Sequence, residues 1–119
     1  MVIDDDEEFR ELVATVLPAS VETLEAGRLR DADALLQAHD VDTIVVDGLL
    51  PDGSGPQWIE NRRKAGDTRP IVFISALYKD STIVGQMRGL GVSTINKRYA
   101  SPEIILNAIF NARPSDPPG

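Results

Sequence analysis

The chain has 119 residues, with 12 Lys or Arg against 19 Asp or Glu, so its formal net charge at pH 7 is −7. This length fits one domain, and the acidic balance argues against direct nucleic-acid binding. The sequence has no cysteine and one histidine, His39, which excludes disulfides and thiolate metal sites and disfavours zinc sites and Ser-His-Asp triads. It contains no apolar run of membrane-spanning length, and its first residues are acidic where a signal peptide is basic. We therefore expect a soluble, cytoplasmic domain without membrane contact.

Five short apolar runs predict β-strands. The runs at residues 43–46 and 71–74 are rich in branched residues and do not alternate between apolar and polar, which is typical of parallel strands covered on both faces. Val2–Ile3 and the weaker runs at residues 21–24 and 94–95 supply the other three. The alternation of these runs with helical segments indicates a parallel sheet.

Apolar residues at three- and four-residue steps predict five helices between and after these strands. Their apolar positions are Phe9, Leu12, Val13, Val16 and Leu17; Leu29, Ala32, Leu35 and Leu36; Trp58 and Ile59; Ile83, Met87 and Leu90; and Ile104, Ile105, Ala108 and Ile109. In the fifth helix Ser101 is expected as the N-cap, with Pro102 at the first helical position. Residues 1–112 are therefore predicted as one α/β domain with helices on both faces of the sheet. Residues 113–119 are predicted as a Pro-rich tail or the start of a linker.

Carboxylates follow two of the predicted strands directly. Asp4, Asp5 and Asp6 follow the first strand, and Asp47 follows the third. Because ligands bind at the carboxyl ends of parallel strands, these groups are expected to meet at one edge. Close carboxylates repel one another, and Mg²⁺ is the usual ion that relieves such repulsion. The alternative is that these aspartates serve only turns and helix caps.

A hydroxyl and an ammonium group end two further strands. Ser75 ends the fourth strand, where it either donates to an oxyanion or caps a helix. Lys97 ends the fifth, where it either pairs with a phosphoryl group as a point charge or extends along the surface into solvent.

Taken together, these residues resemble the receiver domain of two-component response regulators over nearly the whole chain. Each motif alone is weakly specific, but four in the same order on strand ends are a strong signal. The matching positions are Asp4 and Asp5 for the acidic pair, Asp47 for the phosphoacceptor, Pro51 and Gly55 for the loop after it, Ser75 and Ala76 for the hydroxyl and small residue, and Lys97 for the essential lysine. The resemblance implies a flavodoxin-like, doubly wound sheet of five parallel strands in the order 2-1-3-4-5, with five helices.

The resemblance also implies a chemistry. Asp47 would accept a phosphoryl group from a histidine kinase or a phosphotransfer protein, so the domain would catalyse only its own phosphorylation and dephosphorylation. The remaining roles are metal ligation of Mg²⁺ by Asp5, Asp47 and the backbone carbonyl of Leu49, orientation of a metal-bound water by Asp4, and contact with the phosphoryl oxygens by Lys97 and Ser75. Ser75 and Thr94 would form the switch that signals to a downstream protein or output domain.

Departures from the family pattern motivate an alternative. Arg98 stands where the family has Pro after the lysine, so we expect a trans Lys97–Arg98 peptide bond. Thr94 stands where the family has an aromatic switch residue. These departures motivate a second hypothesis, a pseudo-receiver that would bind a protein partner without phosphorylation, and the retention of Asp4, Asp5 and Asp47 weighs against it. A Mg²⁺-dependent phosphatase on a related fold is disfavoured, because Leu49 occupies the position where such enzymes need a catalytic acid.

Overall fold

The computed structural model describes residues 1–76 and 81–116. Within these residues five parallel strands form one sheet, in the order β2-β1-β3-β4-β5. The strands are β1 (Val2–Ile3), β2 (Glu25–Ala26), β3 (Ile44–Asp47), β4 (Ile71–Ser75) and β5 (Ser93–Asn96). This is the predicted flavodoxin-like order, in which β1 and β3 lie at the point where the chain reverses direction across the sheet.

Five α-helices connect and follow the strands in the described part of the chain. They are α1 (Glu7–Val16), α2 (Leu29–Ala38), α3 (Gly55–Lys64), α4 (Ser81–Gly89) and α5 (Pro102–Asn111). As predicted, the Ser101 side chain caps α5 by accepting a hydrogen bond from Ile104 N. None of the helices within the described ranges has the length and apolar character needed to cross a membrane.

The core lies in two layers because successive strand residues point to opposite faces of the sheet. One layer packs against α2, α3 and α4, and its strand residues are Ile3, Ala26, Ile44, Val46, Ile71 and Phe73. The other packs against α1 and α5, and its strand residues are Val2, Val45, Val72, Ile74 and Ile95. Both faces of β3 and β4 are thus buried, which explains their continuous apolar sequence.

The prediction for the second strand is wrong in position. The run at residues 21–24 lies before the strand, because Val21 N donates to Pro18 O in a turn that follows α1. Pairing with β1 begins at the Leu24 carbonyl, which accepts from Val2 N at 2.8 Å. The strand itself is Glu25–Ala26.

Two smaller features also differ from the expectations. A two-residue antiparallel hairpin, Leu49–Leu50 with Gly53–Ser54, forms in the loop after β3. β5 ends at Asn96, so Lys97 begins the short 3₁₀ turn Lys97–Tyr99 instead of ending the strand.

The segment after α5 folds back onto the domain. Ser115 N donates to the Thr68 carbonyl at 3.0 Å, so the tail runs beside the loop that precedes β4. Residues 117–119 of the predicted Pro-rich tail lie outside the described residues. The proposed boundary between domain and tail at residue 112 stays a prediction.

Candidate functional site

Three carboxylates converge at the carboxyl edge of the sheet. Asp4, Asp5 and Asp47 each offer one oxygen atom, and these atoms lie within 4.8 Å of one another. The parallel register causes this arrangement, because Ile3 pairs with Val46 and the next residue on each strand is an aspartate. Asp4 is 1% exposed, while Asp5 lies open to solvent. The cluster therefore combines a buried carboxylate, Asp4, with a half-buried one, Asp47, and an exposed one, Asp5.

Asp4 has a partner for each of its carboxylate oxygens. Oδ1 accepts from Asp6 N at 2.9 Å, and Oδ2 accepts from Lys97 Nζ at 2.8 Å. A buried charge is tolerated only when it is paired and hydrogen-bonded in this way. Because both of its oxygens are used, Asp4 is suited to an indirect role toward a bound ion, and Asp5 and Asp47 to direct contact.

The outward part of the cluster has the chemistry that a hard divalent cation needs. Carboxylate oxygens are the preferred ligands of Mg²⁺, which usually keeps several waters beside one or two of them. Asp5 and Asp47 satisfy this requirement, and their mutual repulsion gives a cation a favourable place.

Lys97 directly follows the edge strand β5, and its side chain extends to the carboxylate cluster. Its Nζ lies 2.8 Å from Asp4 Oδ2, 3.9 Å from Asp47 Oδ2 and 4.8 Å from the centre of the Phe9 ring. Burial alone lowers the pKa of Lys97, but the hydrogen bond to Asp4 and the attraction of Asp4 and Asp47 raise it above its ordinary value. The lysine is therefore charged at neutral pH.

The Lys97–Arg98 peptide bond is trans, as predicted; the structure has no cis peptide bond among its described residues. The turn after β5 is organised by Asn96, whose side-chain oxygen accepts from Arg98 N at 3.0 Å. A local side-chain cap thus directs the lysine toward the carboxylates where the family pattern has a proline.

Asp47 lies at the end of β3 with its side chain 13% exposed. Burial and the negative charge of Asp4 raise the pKa of Asp47 above its ordinary value, while the positive charge of Lys97 opposes this shift. The carboxyl group is thus destabilised in its ionised form when no further cation is bound.

Ser75 ends β4 on the neighbouring strand and is buried. A Cβ atom at Gly48 would lie 2.5 Å from Ser75 Oγ and 3.2 Å from the Phe73 ring, so any larger residue directly after Asp47 would require the Ser75 side chain to shift. Thr94 is half-buried and pairs with Phe73 across β4 and β5. The Phe73 ring therefore lies beside Gly48, next to Asp47.

The loop after Asp47 is anchored by contacts that the sequence analysis missed. Asp52 accepts hydrogen bonds from Leu29 N at 2.8 Å and Arg30 N at 3.0 Å, so it caps α2 from a distant loop. These bonds lower the pKa of Asp52. The sequence did contain one signal for this contact. Arg28 occupies the N-cap position of α2 and makes no side-chain cap, so the first N–H groups of the helix need an acceptor from elsewhere. Leu49, whose carbonyl was predicted as a metal ligand, lies in the hairpin of this loop and exposes its side chain.

Comparison with known proteins places this chain in a family. The family model for the response regulator receiver domain matches residues 1–109. The chain is 28% identical over 108 residues to the phosphate regulon transcriptional regulatory protein PhoB of Escherichia coli, covering 88% of this chain and 47% of PhoB. It is 27% identical over 106 residues to the swarming motility regulation protein RssB of Serratia marcescens, covering 88% of this chain and 48% of RssB. The chain spans about half the length of the curated relatives it matches.

Solved structures agree with this assignment. The signal receiver domain of NarL from Mycobacterium tuberculosis is similar with a TM-score of 0.77 and 29% identity, over 90% of this chain and 88% of that one. A response regulator from Burkholderia pseudomallei, solved with a phosphorylated aspartic acid, a calcium ion and citrate, is similar with a TM-score of 0.75 and 25% identity. That likeness covers 91% of this chain and 64% of the Burkholderia chain. The chain therefore belongs to the response regulator receiver domain family.

Proposed function

We propose that this receiver domain accepts a phosphoryl group on Asp47 in a Mg²⁺-dependent reaction. The observation that carries the proposal is the convergence of Asp47 with Asp4, Asp5 and the ammonium group of Lys97. The Burkholderia relative, which carries a phosphorylated aspartic acid together with a calcium ion, supports it. The proposed donor of the phosphoryl group is a histidine kinase or a phosphotransfer protein. The signal would pass to a downstream protein or an output domain, and the proposed location is the cytoplasm.

The proposed reaction uses Asp47 as a nucleophile. One of its carboxylate oxygens forms a bond to the phosphorus of a phosphohistidine, while the bond from that phosphorus to the histidine nitrogen breaks. The electron pair of the broken bond stays on the imidazole, and the product is an acyl phosphate. Lys97, 3.9 Å from the carboxylate, balances charge on the phosphoryl oxygens. The Ser75 hydroxyl donates to one of these oxygens in the same proposal.

Asp5, Asp47 and the Leu49 carbonyl are the proposed ligands of Mg²⁺, and Asp4 acts through a bound water. When bound, the ion neutralises the charge that gathers on the transferring group. The protein holds the Asp4 carboxylate on both oxygens, which would fix the group that orients this water. Attack by water on the acyl phosphate would release inorganic phosphate and restore the carboxylate, which completes the cycle without any other enzymatic activity.

The position of Lys97 favours this proposal over a phosphate-independent pseudo-receiver. That alternative is motivated by the two departures from the family pattern, Arg98 in place of a proline and Thr94 in place of an aromatic residue. The bond is trans, yet Lys97 Nζ lies between Asp4 and Asp47. In this proposal Thr94, which stands where the family has an aromatic residue, affects the readout of the signal and not the chemistry at Asp47.

Asp47→Asn is expected to abolish phosphorylation, because an amide cannot attack phosphorus. The measurement is Mg²⁺-dependent incorporation of phosphate from acetyl phosphate, followed by intact-protein mass spectrometry. Asp40→Asn is the matched control, since Asp40 is exposed in the loop before β3, at the opposite edge of the sheet. An Asp47→Asn variant that still takes up phosphate would assign the acceptor elsewhere. A wild-type protein that takes up none, with beryllofluoride also failing to bind, would favour the pseudo-receiver.

Asp47→Asn is also expected to stabilise the metal-free protein at neutral pH, because burial and Asp4 raise the pKa of Asp47. The folded state then binds the Asp47 proton more tightly than the unfolded chain does. Wild-type stability consequently rises as the pH falls through the raised pKa. The advantage of the variant shrinks over the same interval and disappears below the ordinary value of 3.8. Urea denaturation with a chelator at decreasing pH measures this; an advantage that grows as the pH falls would contradict the burial of Asp47.

A further inference from the structure

The guanidinium group of Arg10 holds the peptide that joins the two aspartates after β1. Arg10 Nη1 donates to the Asp4 carbonyl at 2.6 Å, and Nε donates to Glu25 Oε1 at 3.2 Å. The Arg10 side chain is largely buried, with 18% exposed. One residue of α1 thus connects the end of β1 to the edge strand β2.

The Asp4 carbonyl needs this donor because the sheet ends beside it. Asp4 N donates to Ala26 O at 3.0 Å, which is the last bond between β1 and β2. The chain then passes through Gly27 into α2, and the Asp4 carbonyl accepts from Arg10 where a longer strand would supply an N–H group. A Cβ atom at Gly27 would lie 3.4 Å from Arg10 Nη1, an ordinary contact distance, so the guanidinium packs directly beside Gly27.

The bond to this carbonyl bears directly on Asp5. The Asp4 carbonyl belongs to the planar peptide that leads into Asp5, so holding its orientation restricts where Asp5 N and Cα lie, and with them the point from which the Asp5 side chain leaves the backbone. Asp5 is exposed, and packing contributes little to its position. We propose that Arg10 is a positioning residue for the metal site, acting through the Asp4–Asp5 peptide. This inference rests on the proposed function, since it takes Asp5 as a Mg²⁺ ligand.

The sign of the effect separates positioning from simple electrostatics. Arg10 is a positive charge close to a cation site, so removing it should strengthen Mg²⁺ binding if charge alone mattered. Positioning predicts the opposite, because a misdirected Asp5 is a poorer ligand. Removal of a group that orients a metal ligand typically weakens binding by roughly 10- to 100-fold.

The test measures Mn²⁺ affinity from the free-ion signal in electron paramagnetic resonance, with Mg²⁺ as competitor. Arg10→Met is expected to weaken binding at least about 10-fold. Arg10→Lys keeps the charge but lacks the planar fork that reaches both the Asp4 carbonyl and Glu25, so it should also weaken binding. Arg88→Met, which removes an exposed arginine in the last turn of α4, is the control and should leave the affinity unchanged.

Circular dichroism establishes that each variant is folded at the temperature of the titration. If both Arg10 variants bound Mn²⁺ as tightly as the wild type or more tightly, the inference would be overturned. This would hold even if the variants unfolded more easily, because a residue that only stabilises the fold does not change the affinity of the folded protein. Failure of the proposed metal site would appear in the wild type itself, which would then bind Mn²⁺ no better than Asp5→Ala. Weak binding by the wild type would overturn both proposals, whereas unchanged affinity in the Arg10 variants would overturn only the role of Arg10.

Discussion

Lys97→Met is expected to lower the free energy of unfolding by about 3–5 kcal/mol in the presence of a chelator. The reason is Asp4, which is 1% exposed and loses the only ammonium group bonded to it among the described residues. The substitution also removes the positive charge that opposes repulsion between Asp4 and Asp47. Methionine has a similar length, so the effect of lost packing over Phe9 is kept small.

Two controls isolate the buried charge as the cause. Lys64→Met removes an exposed lysine that pairs with Glu60 at 3.0 Å, and its cost should stay below about 1 kcal/mol. The double variant Asp4→Asn/Lys97→Met removes both charges and should recover much of the loss. Urea denaturation followed by circular dichroism gives the free energies. If Lys97→Met cost no more than Lys64→Met, the Asp4–Lys97 pair would not be the stabilising contact described above.

Gly55→Ala is the second substitution with a large expected effect. A Cβ atom at Gly55 would overlap the Asp47 carbonyl oxygen, well inside the 3.0 Å that real Cβ contacts respect, and would lie 3.3 Å from Gly48 Cα. Gly55 N also donates to Gly48 O at 3.0 Å, so the start of α3 rests directly on the chain after Asp47. Since both partners are backbone, they can yield only by moving α3 or Asp47. We expect a loss of about 3 kcal/mol, the upper end of the range for overpacking.

Gly85→Ala is the matched control for this prediction. Gly85 lies within α4, and a Cβ atom there meets nothing within 4 Å among the described residues. Alanine should therefore stabilise the protein by roughly 0.5–1 kcal/mol, because glycine is a poor helix former. Thermal and urea unfolding of both variants supply the comparison. Equal behaviour of the two would mean that α3 tolerates displacement from β3.

The fold was predictable where the sequence pattern is strong. The continuous apolar runs at β3 and β4 gave both strands to within one residue, because burial on two faces demands apolar residues at successive positions. The hairpin after Asp47 has strands of only two residues, which are too short to show a hydrophobic period. The predicted position of β2 was too early in the chain, because Val21, the first residue of the predicted run, belongs to a turn with Pro18. Short elements at the edge of a sheet are set by tertiary contacts more than by local pattern.

Some residues of the candidate site could likewise be predicted from the sequence, and others could not. Carboxylates at strand ends could be expected to meet because parallel topology brings those ends together, and Asp4, Asp5 and Asp47 do lie together. The roles of Arg10 and Asp52 could not be predicted in this way. Arg10 bonds a backbone carbonyl and Asp52 bonds backbone N–H groups of α2, and neither partner has a residue-type signature in the sequence.

The bond between Asp4 and Lys97 joins residues 93 positions apart in the chain. A contact of such separation forms only after most of the intervening chain has been ordered, because closing a long loop costs entropy that local contacts do not repay. Lys97 directly follows β5, and Asp4 directly follows β1. Any partial opening that releases β5 or β1 therefore dismantles the carboxylate–ammonium cluster, even if the rest of the sheet persists. The site is thus a property of the fully closed domain, and a ligand that binds only the assembled site would stabilise the arrangement of β1 and β5 on which it depends.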